Sequence, residues 1–189
     1  MAYKLEGPWR VSDLIQKPKA PITDEFPGVY VVQLLPDKYN LQFHGPNRVI
    51  CIGMSEVSVR QRFGLFLIDA FGFLFNHSEG TRFYAESPEM LAVMEALERG
   101  ALTTDLREAL HARPTAWDLE ILWYNAQDSS CLEAALMKRY ISEFGRLPLL
   151  NKNQNNQGCG NHLEELRSET FLVETPVPWE IIGSISANS

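Results

Sequence analysis

Cysteine is scarce in this chain. Cys51, Cys131 and Cys159 stand far apart and form no CxxC pair, which argues against a disulfide framework and against a cysteine-built metal site. Long apolar runs are missing too: Phe63 to Phe75 is apolar for about one short helix, and Asp69 interrupts it. The first ten residues, MAYKLEGPWR, lack the apolar core of a signal peptide. A cytoplasmic, reduced protein with no membrane partner is expected. No internal repeat or low-complexity tract occurs, and only NKNQNNQGCGN, residues 151–161, is compositionally odd.

Positive charge is also in short supply. With 17 Lys+Arg against 24 Asp+Glu the net charge is -7, which opposes binding to nucleic acid, whose affinity rests on neutralised phosphates. The excess acid is unevenly placed: residues 1–62 carry 8 basic and 6 acidic side chains, 63–130 carry 4 and 11, and 131–189 carry 5 and 7. Between Cys131 and Lys152, the basic Lys138, Arg139, Arg146 and Lys152 outnumber Glu133 and Glu143. A locally basic face therefore remains compatible with the acidic total.

The 189 residues suit one domain with a real core. Residues 1–25 read as an arm broken by Pro8, Pro18 and Pro21, with a short helix near Val11 to Lys17. PGVYVVQLLP and RVICIG read as two strands that pair as an antiparallel hairpin over a long polar loop. From Ser55 the apolar period becomes helical through Leu74, with Ser55 as the expected N-cap, and Asn76 to Gly80 breaks the pattern. Further helices are expected at 87–99, where Pro88 takes the first position, and at 104–111; WDLEILWY, 117–124, reads as a third strand. The resulting class is α+β: a small antiparallel sheet with a three-stranded core, flanked by helices, with 76–115 as a helical insertion and 152–189 as a C-terminal extension.

The next segment, CLEAALMKRYISEFGRLPLLN from Cys131 to Asn151, carries the strongest helical signal. Leu132, Leu136, Tyr140 and Phe144 form one stripe, Ser129 and Ser130 offer caps, and Gly145 offers a stop. Glu133 lies about 100° around the helix from Leu132 and so borders the buried face. On spacing alone it is a first-turn carboxylate that complements the helix dipole.

The order of elements and short motifs resembles the GIY-YIG nuclease superfamily over roughly residues 26–162. GVY at Gly28 to Tyr30 resembles the first motif, and CIG at Cys51 to Gly53 the second, with Cys51 in place of its tyrosine. Arg62, nine residues after Gly53, stands close to the family's catalytic arginine, with Arg60 as the alternative. His77 stands where some members use a histidine, and EAALMK followed by Asn151 resembles the last motif. The tail Gly158 to His162 and the long spacing from GVY to CIG resemble the restriction-endonuclease branch.

The resemblance implies a GIY-YIG-like fold and divalent-metal-dependent hydrolysis of DNA phosphodiesters, duplex DNA foremost, in a restriction or defence role. Glu133 would hold one Mg2+ or Mn2+, Tyr30 would serve as base, and Arg62 would supply a cation to the phosphate. His77 would orient water or phosphate, and Asn151 would fix the geometry. Arg60, Lys138 and Lys152 are the candidate contacts to DNA. The oligomeric state is open, a homodimer included. The other reading is a GIY-YIG-fold protein that no longer cuts and acts as a nucleic-acid- or protein-binding module, to which Cys51 and the net charge point.

Overall fold

The structure, a computed structural model, describes residues 5–16, 26–73, 77–101 and 103–153. Four strands, β1 (Leu5–Arg10), β2 (Gly28–Leu34), β3 (Val49–Ser55) and β4 (Leu119–Asn125), form one antiparallel sheet in the order β1-β4-β2-β3. The seven α-helices among the described residues are α1 (Val11–Gln16), α2 (Leu41–His44), α3 (Val59–Ala70), α4 (Ser78–Ala85), α5 (Pro88–Glu98), α6 (Thr104–Ala112) and α7 (Ser129–Phe144).

The expected hairpin forms, with Tyr30 opposite Gly53 and Val32 opposite Cys51. The expected third strand joins it on the other side, with Tyr30 opposite Trp123. The sheet has four strands and not three: Leu5–Arg10, within the expected arm, pairs with β4. The register shifts between Glu6 and Trp9, so this edge strand follows the ladder irregularly across the Gly7-Pro8 step, and Trp9 stacks on Trp123 at 6.3 Å. The rest of the arm to residue 25, other than 5–16, lies outside the described residues, as do 154–189 and the Gly158 to His162 motif.

Every residue of β2 is buried, because helices cover both faces of its sheet. Period-2 alternation sends Tyr30, Val32 and Leu34 toward α3 and α4, where they meet Phe63, Phe66 and Phe83. Val29 and Val31 point the other way, onto Leu132, Leu136, Met137 and Tyr140 of α7. The α7 stripe therefore faces the sheet as its spacing predicts. Truncating Leu136, 3% exposed, to Ala removes a core side chain at a typical cost of about 2–5 kcal/mol. Gly145 ends α7 at φ 70, and its N–H reaches the Ile141 carbonyl.

Three helix starts differ from expectation. Asp128, and not Ser129 or Ser130, takes the N-cap position of α7, so both serines lie inside its first turn. Ser55 does not cap α3: its Oγ accepts from the Val57 and Ser58 amides in a turn, and Ser58, three residues on, accepts from Gln61 N–H as the cap. Asn76 to Gly80 is not simply a break, since α4 begins at Ser78. A Cβ on Gly80 would stand 2.4 Å from the Phe66 carbonyl oxygen, so glycine is what lets α4 press onto α3. Ser87, Pro88 and Thr103 start α5 and α6 as their types predict. The helical insertion is tied to the loop between β2 and β3 by a buried pair, His44 Nε2 to Glu89 Oε1 at 3.1 Å.

Candidate functional site

One end of the β2–β3 pair opens into a cavity of about 430 Å³ whose walls include Tyr30, Gly53, Arg62, Glu79, Glu133 and Asn151. Five separate parts of the chain supply them: β2, β3, α3, α4, and α7 with the segment that follows it. Tyr30, Arg62, Glu133 and Asn151, which the sequence places more than a hundred residues apart at the extremes, thus share one cleft.

Tyr30 projects from the central strand across Gly53. A Cβ at position 53 would lie 2.5 Å from the Tyr30 Cζ and Oη, so only glycine leaves space for the ring. The ring is 1% exposed and lies 6.0 Å from Phe63. Burial, and next the Cys51 thiol, push the Tyr30 hydroxyl well above its usual range; Arg62 pulls it down, while Glu79 and Glu133 add to the rise. Tyr30 is therefore a neutral phenol at pH 7.

His77, 1% exposed, does not line the cavity but stands directly behind Tyr30, with Nε2 at 3.2 Å from its hydroxyl. Its place is fixed by a buried anchor: Asp69 at the end of α3, 0% exposed, accepts from the His77 backbone N–H and from Thr81 Oγ1 at 3.1 Å. Phe66 meets the imidazole edge-on at 5.5 Å. Burial first, and then Arg62, lower His77 to about 4, so the ring is uncharged at neutral pH.

Asn151 closes the cavity from the side of the outer strand. Its Nδ2 donates to the Ile52 carbonyl at 2.8 Å and its Oδ1 accepts the Ile52 N–H at 3.0 Å. Leu150 N–H donates to the Ile50 carbonyl at 2.8 Å, so the chain after α7 is stitched along β3. Glu133 is 8% exposed and lines the same space; because α7 starts at Ser129 it stands in the second turn of the helix and not in the first, as its spacing had led one to expect. Arg62 is exposed and reaches in from α3.

The remaining candidates lie elsewhere. Arg60, Lys138 and Lys152 are exposed and outside the cavity walls; Lys152 pairs with Glu86 at 3.5 Å. Cys51 is fully buried in the core beside Tyr30, Val32 and Phe63. It fills a packing position and offers no polar group to the cavity.

Sequence reasoning passed over Glu79, which lies two residues after His77 and lines the cavity. Its Oε2 lies 3.2 Å from His77 Nδ1 and accepts from Ser78 Oγ at 2.8 Å, while Oε1 pairs with Arg82 at 2.9 Å. Asp69 was passed over as well. The available signal was an Asp inside an otherwise apolar helix face eight residues before His77.

Among the described residues no group of three or more His, Cys, Asp or Glu is clustered to enclose a metal ion. The cavity instead offers the hard oxygens of Glu133 on α7, while both oxygens of Glu79 on α4 are engaged by Arg82, Ser78 and His77. That donor set fits an Mg2+-type ion, which binds through one or two carboxylates and keeps several waters for substrate oxygens to replace. Comparison of the chain with protein-family models, with curated proteins and with solved structures finds no match.

Proposed function

We propose that the protein is a divalent-metal-dependent endonuclease that hydrolyses DNA phosphodiester bonds at this cavity, as the GIY-YIG resemblance implies. The observation that carries the reading is the convergence of Tyr30, Arg62, Glu133 and Asn151 on one cleft. Independent core roles would scatter these four side chains.

The charge balance of the cleft gives the ion a reason to be there. Among the described residues Glu56, Glu79 and Glu133 line it against Arg62, so a phosphodiester entering alone meets net repulsion. An Mg2+ or Mn2+ held by Glu133 would offset that excess and would supply charge stabilisation to the phosphoryl oxygens and the leaving oxygen. Arg62, exposed at the rim with a planar fork of donors, engages the phosphate and also favours the ionised form of Tyr30. Tyr30 faces the attacking water, and His77 holds its hydroxyl from behind. Asn151 keeps β3, and with it Gly53, at the spacing that Tyr30 needs. Lys138, Lys152 and Arg60, exposed outside the cavity walls, are the candidate contacts to outer phosphates of duplex DNA, Lys152 by exchanging its pairing with Glu86.

A second reading, a fold that binds without cutting, is favoured by one observation: burial raises the Tyr30 hydroxyl well above its usual range even with Arg62 pulling it down. Cleavage assays with duplex DNA and Mg2+ or Mn2+ separate the two. The wild-type protein nicks or cuts, and Glu133→Gln abolishes this while the circular dichroism spectrum is unchanged. Cleavage by Glu133→Gln at the wild-type rate would sink the metal mechanism, and no cleavage by wild type with either metal leaves the binding module.

A further inference from the structure

We propose that Glu79 is a positioning residue: it fixes His77 with its proton on Nδ1, so that Nε2 accepts the Tyr30 hydroxyl and the phenol oxygen turns its lone pairs toward the cavity. Its catalytic meaning rests on the nuclease reading; the hydrogen-bond assignment itself does not.

The choice is forced at Nδ1. Two groups compete for that nitrogen: the Glu79 carboxylate at 3.2 Å, which only accepts, and the Gly80 N–H at 3.4 Å, which only donates. A neutral imidazole satisfies one of them. The carboxylate is nearer and charged, and hydrogen bonds to an ionised partner are about twice as strong as neutral ones. The opposite tautomer would set a lone pair against that carboxylate. Glu79 is itself held in place by Ser78 Oγ at 2.8 Å and Arg82 at 2.9 Å, so it does not turn away. Since His77 is uncharged at pH 7, a proton on Nδ1 leaves Nε2 as an acceptor.

The consequence lies 3.2 Å away, at Tyr30. A phenol has one proton. Spent on Nε2, it leaves the oxygen only acceptor capacity on the cavity side, and the group it receives there must be a donor, a water, and not a phosphoryl oxygen. Arg62 is left as the side chain that meets the phosphate. With the opposite tautomer Tyr30 would donate into the cavity, and the division of labour between Tyr30 and Arg62 would be lost.

The test reads the tautomer directly. In 15N-labelled protein the protonated and bare ring nitrogens differ in shift and in coupling to the ring protons, and His77→Gln identifies which of the 4 histidines is meant. Wild type should show His77 protonated on Nδ1. Glu79→Ala should move the proton to Nε2, and Glu79→Gln, whose amide oxygen still accepts from Nδ1–H, should keep it on Nδ1. In the cleavage assay Glu79→Ala should lose about 10²-fold in kcat, the scale of a misplaced reacting group, with Glu79→Gln recovering most of it. A wild-type His77 protonated on Nε2, or a tautomer that Glu79→Ala leaves unmoved, overturns the proposal. A wild type with the expected tautomer and no cleavage removes the nuclease reading and upholds the role of Glu79 toward Tyr30.

Discussion

Replacing Gly53 by alanine adds one methyl group at the point where two strands and the site meet. The new Cβ would stand 2.5 Å from both Cζ and Oη of Tyr30, about 1 Å inside the ~3.5 Å at which carbon atoms attract. Either the strand or the ring must move. β3 is held by its ladder to β2 on one side and by Asn151 on the other. The ring therefore gives way, although it is 1% exposed and packed on Phe63, and the 3.2 Å contact to His77 is stretched. Overpacking of this kind costs about 1–3 kcal/mol. At ~2–4 °C per kcal/mol for a chain of this size, Tm should fall by about 2–12 °C.

Gly64 supplies the control. It sits inside α3 with nothing within 4 Å of an added Cβ, so Gly64→Ala should stabilise by about 0.5–1 kcal/mol through helix propensity alone. Calorimetry on the two variants reads opposite signs. Adding Tyr30→Phe to Gly53→Ala should recover nothing, since Cζ is as close as Oη; Tyr30→Leu should recover part of the loss. A Gly53→Ala protein that melts at or above the wild-type temperature refutes the packing account and with it the placement of Tyr30.

Asn151→Ala removes both bonds to Ile52 and should cost about 1–3 kcal/mol in urea unfolding. Asn151→Asp should cost more than Ala, because it sets a carboxylate oxygen against the Ile52 carbonyl; an Asp variant as stable as wild type would show that the clamp contributes nothing. His77 should make the fold acid-sensitive. Its value falls from 6.5 to about 4 on folding, so the unfolded chain binds the extra proton, and stability declines as pH drops through that window, by on the order of 3 kcal/mol. In His77→Gln that decline should be smaller, and parallel urea-midpoint curves for the two proteins across the window would contradict it. Cys51→Tyr, which copies the usual second motif, should lower Tm by several degrees without raising cleavage, because position 51 is 0% exposed and tightly packed; a gain in cleavage at unchanged Tm would show that a ring belongs there.

Much of the framework was legible because local and tertiary preferences agree. The apolar run of β2, the Pro88 start of α5 and the stripe of α7 each state their structure in their own residues. β1 was hidden because LEGPWR contains a glycine and a proline, and its pairing is decided by Trp9 meeting Trp123 and not by strand propensity. α4 was hidden because SEGTRFYA has few apolar residues and gains its stability from pressing Gly80 onto α3. In the site, Tyr30, Arg62, Glu133 and Asn151 sit at positions that motifs mark. Glu79 and Asp69 have no such mark, since their meaning arises only when the turn at His77 folds back onto α3 and brings a carboxylate to an imidazole.

The stitching of residues 150 and 151 along β3 has a consequence for the company the protein keeps. β3 is a sheet edge, and such edges expose unpaired amides and carbonyls that recruit strands from other molecules. Here the Ile50 carbonyl and both backbone groups of Ile52 are already taken, by Leu150 N–H and by the Asn151 amide acting as a one-residue substitute for a neighbouring strand. The side chain that frames the cleft thus also shields the middle of this edge from intermolecular β-pairing. Loss of the Asn151 amide frees two adjoining hydrogen-bonding groups beside the apolar Val49, Ile50 and Ile52, the conditions under which a sheet begins to aggregate.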